Sequence, residues 1–205
     1  MMFSDVLKDP VISDISRALL PTKNSCDTHI PKRVGQEPAS VLILLVLRGD
    51  QWHIVLTKRP MHMKNHAGQI AFPGGRTEVG ENPYDGALRE THEEIGVATS
   101  DIHILGRLPS FNAVSQYRVT PFVGLLNPTA KTQPDPGEVE EIFEVPFAFF
   151  MDSNNHVRRE VKFEGERHII YDMPWPSAQE TTHNVWGMTA MMMFRLYQRM
   201  GYETK

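Results

Sequence analysis

The stretch VLILLVL, residues 41–47, restricts the fold more than any other part of the chain. Seven apolar residues are far too few to cross a bilayer as a helix, which needs about 20. They suit a strand that is apolar on both faces and therefore central in a covered sheet. RGDQ follows, and then WHIVLT, residues 52–57, in which Trp52, Ile54 and Leu56 alternate with His53, Val55 and Thr57. The pair reads as a hairpin with a half-buried second strand.

Further strands are expected over 102–108, 117–126 and 139–145. A second hairpin is expected in HVRREVKFEGERHIIYDM, turning at Glu164–Gly165. Apolar residues at helical spacing (Val6, Leu7, Val11, Ile12, Ile15, Leu19) predict a helix over 5–20. A last helix is expected over 184–199, its AMMMF run filling core, the usual use of methionine at this spacing. Pro21, Pro31, Gly35 and Pro38 interrupt the segment before the first strand. The expected organisation is an N-terminal helix and arm over 1–38, one domain over 39–178, and a C-terminal helix within 179–205 packed on that domain. Strands with interspersed helices predict an α/β class with a mixed sheet.

A chain of 205 residues with net charge −4 carries no global signal for nucleic acid or an anionic membrane, and neither partner is expected. The single cysteine, Cys26, excludes an internal disulfide. MMFSDVLKDP lacks the layout of a secretion signal and the Arg-rich character of a mitochondrial leader. The expected location is the cytoplasm.

RETHEEIG, residues 89–96, concentrates carboxylates. Asn82 is placed to cap a helix, Pro83 suits its first turn, Asp85 its positive end, and Gly96 its stop. At about 100° per residue from Tyr84, the side chains of Leu88, Thr91 and Ile95 fall within about 40° of it as a core stripe. Glu90, Glu93 and Glu94 group at about 180–280°, away from that stripe. Like charges at these spacings cost a helix about 0.2–0.5 kcal/mol per pair. Gly86 lies one turn earlier on the acidic face, where a small residue leaves room for an approaching group. Two readings follow: a solvated acidic face, or a site for hard divalent cations such as Mg²⁺ or Mn²⁺, which prefer carboxylate oxygens. In the second, Arg89 is an internal counter-charge. HEEIG has no second histidine at zinc-site spacing, and neither a P-loop nor a Gly-x-Gly-x-x-Gly turn occurs.

From Gly75, the spacing is five residues to Glu81, seven more, then Arg89-Glu90-Thr91-His92-Glu93-Glu94-Ile95-Gly96-Val97. This resembles the Nudix box, Gly-x5-Glu-x7-Arg-Glu-U-x-Glu-Glu-x-Gly-U, with Thr91 where a bulky aliphatic U is usual. Upstream, VLTKRPMHMKNHAGQIAFPGG (residues 55–75) resembles the element preceding the box in coenzyme A pyrophosphatases. Leu56, Thr57, Arg59, Gly68, Phe72, Pro73, Gly74 and Gly75 match it, while Val55, Pro60 and Lys64 depart from it.

The resemblance implies a Nudix-type α/β/α sandwich with a mixed sheet. It also implies Mg²⁺- or Mn²⁺-dependent cleavage of the diphosphate of coenzyme A or its thioesters, giving 3',5'-ADP and 4'-phosphopantetheine or its acyl form. Carried over by position, Glu90 and Glu94 are the main metal ligands, joined by Glu93 and the Gly74 carbonyl, with Glu81 supporting Arg89 behind them. Glu93 also has a catalytic role, ligating a further ion or orienting water. Glu138, in PDPGEVEEIFEVP, is the candidate general base; the alternative is that Glu138, Glu140 and Glu141 are exposed strand-edge charges. Arg59, Lys64 and His66 are the candidate substrate cations. Rival readings are a Nudix hydrolase of an ADP-sugar, dinucleotide or nucleoside triphosphate, and a non-catalytic nucleotide sensor. The sequence leaves a homodimer open.

Overall fold

The computed structural model describes residues 3–22, 35–63, 65–113, 116–163, 165–176 and 182–202. Cys26, Lys64 and the expected turn residue Glu164 lie outside this set. The chain starts with two helices, α1 (Phe3–Val6) and α2 (Pro10–Ala18), where the periodicity predicted one. The break comes from Asp9 and Pro10. The Asp9 carboxylate accepts from Val11 N at 2.8 Å, and Pro10 occupies the first helical position, where its missing N–H costs nothing.

Strand β1 (Glu37–Arg48) turns through Gly49 and Asp50 into β2 (Gln51–Lys58), pairing Arg48 with Gln51 and Leu44 with Val55. Two short strands follow, β3 (Ile70–Ala71) and β4 (Gly74–Arg76), then helix α3 (Pro83–Ile95). β5 (Ile102–Arg107), β6 (Phe111–Asn112), β7 (Tyr117–Leu126) and β8 (Glu141–Pro146) complete the main sheet. Its long strands run β8-β2-β1-β7-β5. β1 and β7 are parallel and the other pairs antiparallel, so the sheet is mixed. β1 pairs with β2 through its C-terminal half and with β4 through residues 39–41. This fork brings the glycine turn at 74–75 over the start of β1.

The double-sided burial expected of residues 41–47 holds. Leu42, Leu44 and Val46 join Val55, Phe122 and Leu126 against Ala87 and Ile95 of α3. Ile43 and Leu45 face the opposite way with Ile54, Leu56, Val123 and Leu125. That second core takes in Ile12 and Ile15 of α2 and Met192, Met193 and Leu196 of α5 (Gly187–Arg199). Helices therefore cover both faces of the sheet, an α/β/α arrangement. Burying each large aliphatic side chain contributes about 1.5–3 kcal/mol, so the two stacked cores dominate the fold's stability.

After α4 (Phe147–Phe150), a smaller antiparallel sheet is built from β9 (Val157–Phe163), β10 (Glu166–Pro176) and β11 (Thr182–Trp186). The last helix starts at Gly187 rather than 184, because residues 184–186 pair with Pro174, Met173 and Asp172 of β10. The strand expected over 139–145 is Glu141–Pro146. Met192 and Met193 of α5 are buried in the core, as the spacing suggested, and Met188 and Met191 pack against it partly buried. Among the described residues no helix is long and apolar enough to cross a membrane.

Candidate active site

Helix α3 carries the site and is fixed by local chemistry. The Asn82 side chain accepts from Tyr84 N at 2.8 Å, and Gly96 closes the helix in the left-handed conformation at φ 69°. The stripe predicted to face the sheet does so through Thr91 and Ile95, with Tyr84 and Leu88 partly covered. The space beside Gly86 is taken by the chain itself, since a Cβ there would meet Glu81 Oε2 at 3.0 Å and Ser40 Oγ at 3.2 Å.

The three glutamates are not equivalent. Glu94 is only 4 % exposed and Glu90 15 %, whereas Glu93 is 55 % exposed. Helical geometry alone set Glu94 on an outward face; the fork of β1 and β4 buries it. At Gly74, φ is 148°, and a Cβ would come within 2.4 Å of the Ser40 carbonyl oxygen, so only glycine fits. Its N–H donates to Glu94 Oε2 at 3.0 Å. At Gly75, a Cβ would stand 2.4 Å from Glu90 Oε2, so the turn lies directly against that carboxylate.

Arg89 organises the outer half of the site. Its Nε donates to Glu81 Oε1 at 2.9 Å, and its Nη1 to Glu90 Oε1 at 2.9 Å and Glu93 Oε2 at 2.8 Å. Nη2 reaches the Arg76 carbonyl at 3.0 Å and Glu81 Oε2 at 3.1 Å. Bonding to Arg89, and then to the Glu78 N–H, holds Glu81 below the ordinary carboxylate value. The Glu81 bond is also the main cause of the rise in Arg89's own pKa, which keeps it charged.

Arg59 serves the inner half, with Nη1 3.7 Å from Glu94 Oε1. Burial pushes the Glu94 carboxyl up to about 7; the Gly74 N–H and Arg59 oppose the rise, while Glu138 and Glu90 add to it. Burial also lifts Glu90, against the pull of Arg89 and with added repulsion from Glu93 and Glu138. Glu138 sits on the exposed loop before β8, and its charge is felt by both Glu94 and the partly buried Glu90. Its neighbours are engaged elsewhere: Glu140 pairs with Lys58 at 2.7 Å, and Glu141 with His183 at 3.0 Å.

Of the candidate substrate cations, the structure brings Arg59 to the carboxylates. His66 adopts φ 58° and has its ring Nδ1 2.8 Å from Gln69 Oε1, while Lys64 lies outside the described residues. Sequence reasoning missed an open hollow of about 500 Å³ against the same carboxylates, lined by Arg76, Glu78, Val79, Arg89 and Glu90. Arg76 beside the glycine pair was the available signal.

A divalent cation fits this donor set. Glu94 is walled off from water, two further carboxylates press on it, and Arg59 stands beyond hydrogen-bond range. The set is not convergent as it stands: among the described residues no three acidic or histidine side chains form a ready cage, and Glu90 and Glu93 share the Arg89 guanidinium instead.

The NUDIX domain pattern matches residues 37–164. The chain belongs to the Nudix hydrolase family. It is 33 % identical over 171 residues to an uncharacterized Nudix hydrolase NudL of Photorhabdus laumondii, an alignment covering 82 % of this chain and 89 % of the relative. A NudL of Salmonella dublin is 34 % identical over 175 residues, covering 85 % and 87 % respectively. Among solved structures, the Nudix hydrolase RenU of M. smegmatis superposes with a TM-score of 0.48 at 18 % identity, covering 63 % of this chain and 80 % of that one. As a Nudix hydrolase the protein cleaves a pyrophosphate bond, and members of the family generally depend on divalent metal.

Proposed function

We propose that this Nudix hydrolase cleaves the diphosphate of coenzyme A or its thioesters with Mg²⁺ or Mn²⁺, releasing 3',5'-ADP and 4'-phosphopantetheine or its acyl form. The observation that carries the metal-assisted reading is the burial of Glu94 against Glu90 and within the field of Glu138, an arrangement unfavourable without a cation. Support for coenzyme A as substrate comes from the segment 55–75, with Arg59, Gly68 and Phe72-Pro73-Gly74-Gly75 in the order found in coenzyme A pyrophosphatases.

Glu90, Glu94, Glu93 and the Gly74 carbonyl would hold the metal. When bound, divalent ions neutralise the diphosphate and acidify the attacking water. The chain's own groups supply the rest. Arg89, backed by Glu81, fixes Glu90 and Glu93 through one nitrogen, so the two carboxylates move as a unit. Arg59, Lys64 and His66 are the groups proposed to steady the phosphates. Glu138, on an exposed loop and so able to reach solvent, takes the proton that water loses as its oxygen bonds to phosphorus. The bridging oxygen then leaves with the departing phosphate.

The test is cleavage of coenzyme A, ADP-ribose and a dinucleotide by the full chain with Mg²⁺ or Mn²⁺, for wild type and Glu94→Gln. Coenzyme A is expected to be the preferred substrate, and Glu94→Gln to lower kcat by about 100-fold or more with the circular dichroism spectrum preserved. Intact coenzyme A beside a cleaved ADP-ribose would overturn the substrate assignment. Unchanged turnover in Glu94→Gln would overturn the metal site.

A further inference from the structure

The Arg59 side chain is poorly satisfied where it stands. Its Nη1 lies 3.7 Å from Glu94 Oε1, close enough for charge attraction but too far for a hydrogen bond. Its Nε is buried and has no hydrogen-bond partner among the described residues. A guanidinium offers five donors in a rigid fork, and an unmet buried donor is costly. The Arg59 backbone, by contrast, is pinned on both sides: its N–H donates to the Gln69 carbonyl at 2.9 Å, and its carbonyl accepts from Gly68 N at 3.1 Å. Any rearrangement is therefore confined to the side chain. On the other side of the pair, Glu94 already has one strong partner, the Gly74 N–H on Oε2, which leaves Oε1 facing Arg59.

We propose that Arg59 is a resident cation that holds Glu94 while the metal is absent, yields it when a divalent ion binds, and then turns its guanidinium onto the substrate's diphosphate. One monovalent charge at this distance, without a hydrogen bond, is an easily displaced partner for a carboxylate that a divalent ion bonds directly. Displacement releases a fork whose geometry matches phosphate oxygens. Metal loading and phosphate capture are thereby coupled through one side chain: in the empty site Arg59 competes with metal, and in the loaded site it joins the substrate. This assigns Arg59 a positioning role additional to phosphate contact, and it rests on the metal-site reading above.

The experiment is a Mn²⁺ titration of the full chain, with free ion followed by electron paramagnetic resonance. It is run on wild type, Arg59→Gln, Arg59→Lys, Glu94→Gln and the Arg59→Gln/Glu94→Gln double variant. The same proteins are then titrated, at saturating Mn²⁺, with the methylene-bridged analogue of ADP. Arg59→Gln is expected to bind Mn²⁺ about fivefold more tightly and the analogue about tenfold more weakly. Arg59→Lys should fall between, since it keeps the charge without the fork, and in the Glu94→Gln background removing Arg59 should leave Mn²⁺ affinity unchanged. A merely structural Arg59 would weaken both ligands together, and Mn²⁺ affinity that is unchanged or weaker in Arg59→Gln overturns the proposal. If wild type and Glu94→Gln bind Mn²⁺ alike, the metal site itself is wrong, an outcome separate from any effect of Arg59.

Discussion

Glu94 is the most buried of the three clustered glutamates, its side chain 4 % exposed against 15 % for Glu90 and 55 % for Glu93. That depends on β4 pairing across to residues 39–41, a contact some 50 residues from the helix. The burial has a measurable consequence. With its carboxyl near 7 instead of the ordinary 4.5, Glu94 binds a proton in the folded protein over a range where the unfolded chain has lost it. Stability of the metal-free protein therefore falls as pH rises from about 4.5 to about 7, by an amount on the order of 3 kcal/mol for this group. Urea denaturation in chelator at pH 5, 6, 7 and 8 should show this fall for wild type and a flatter profile for Glu94→Gln. An unchanged slope in the variant would mean that another group carries the pH dependence. Nothing local in the sequence indicated the burial of Glu94, whereas the Arg89–Glu81 contact was implied by the resemblance to the Nudix box, which contains both ends.

At the scale of the element, α3 was readable nearly residue by residue, since its cap, first turn and stop are all local signals. Helix α5 was not readable at its start: residues 184–186 have no strong breaker before them, and their strand state comes from pairing with β10. Likewise, the single helix expected over 5–20 ignored the stop imposed by Asp9-Pro10. The end of α3 carries its own prediction. Gly96 sits at φ 69° with the Gln133 carbonyl 3.0 Å from where a Cβ would be, and Gln133 N donates to the Ile95 carbonyl at 2.8 Å. Gly96→Ala should thus destabilise the protein by about 1–2 kcal/mol in urea, through both the left-handed backbone and the displaced loop. A loss of only a few tenths would show that this loop gives way freely.

For the molecule as a whole, the sequence indicated the class but not the order of the sheet. The parallel pairing of β1 with β7 joins strands about 70 residues apart, and no local signal encodes it. Nor did the sequence show that α2 completes the core. Ile12 and Ile15 are fully buried, and Arg199 Nε of α5 donates to the Ala18 carbonyl at 2.5 Å. The helix read as part of an arm is thus packed into the face opposite the acidic helix. Ile15→Ala should cost about 2–5 kcal/mol in urea denaturation, whereas a loosely attached arm would lose less than about 1 kcal/mol. That packing stabilises the sheet from behind while α3 and the glycine turn hold Glu90 and Glu94 in front, the geometry on which the proposed metal-assisted hydrolysis rests. The most direct test is mass spectrometry of the products formed from coenzyme A in ¹⁸O-labelled water with Mn²⁺. The expected products are 3',5'-ADP and 4'-phosphopantetheine, with one labelled oxygen on the phosphate of one of them and no products in chelator; intact coenzyme A, or products with unlabelled phosphates, would contradict the proposed hydrolysis.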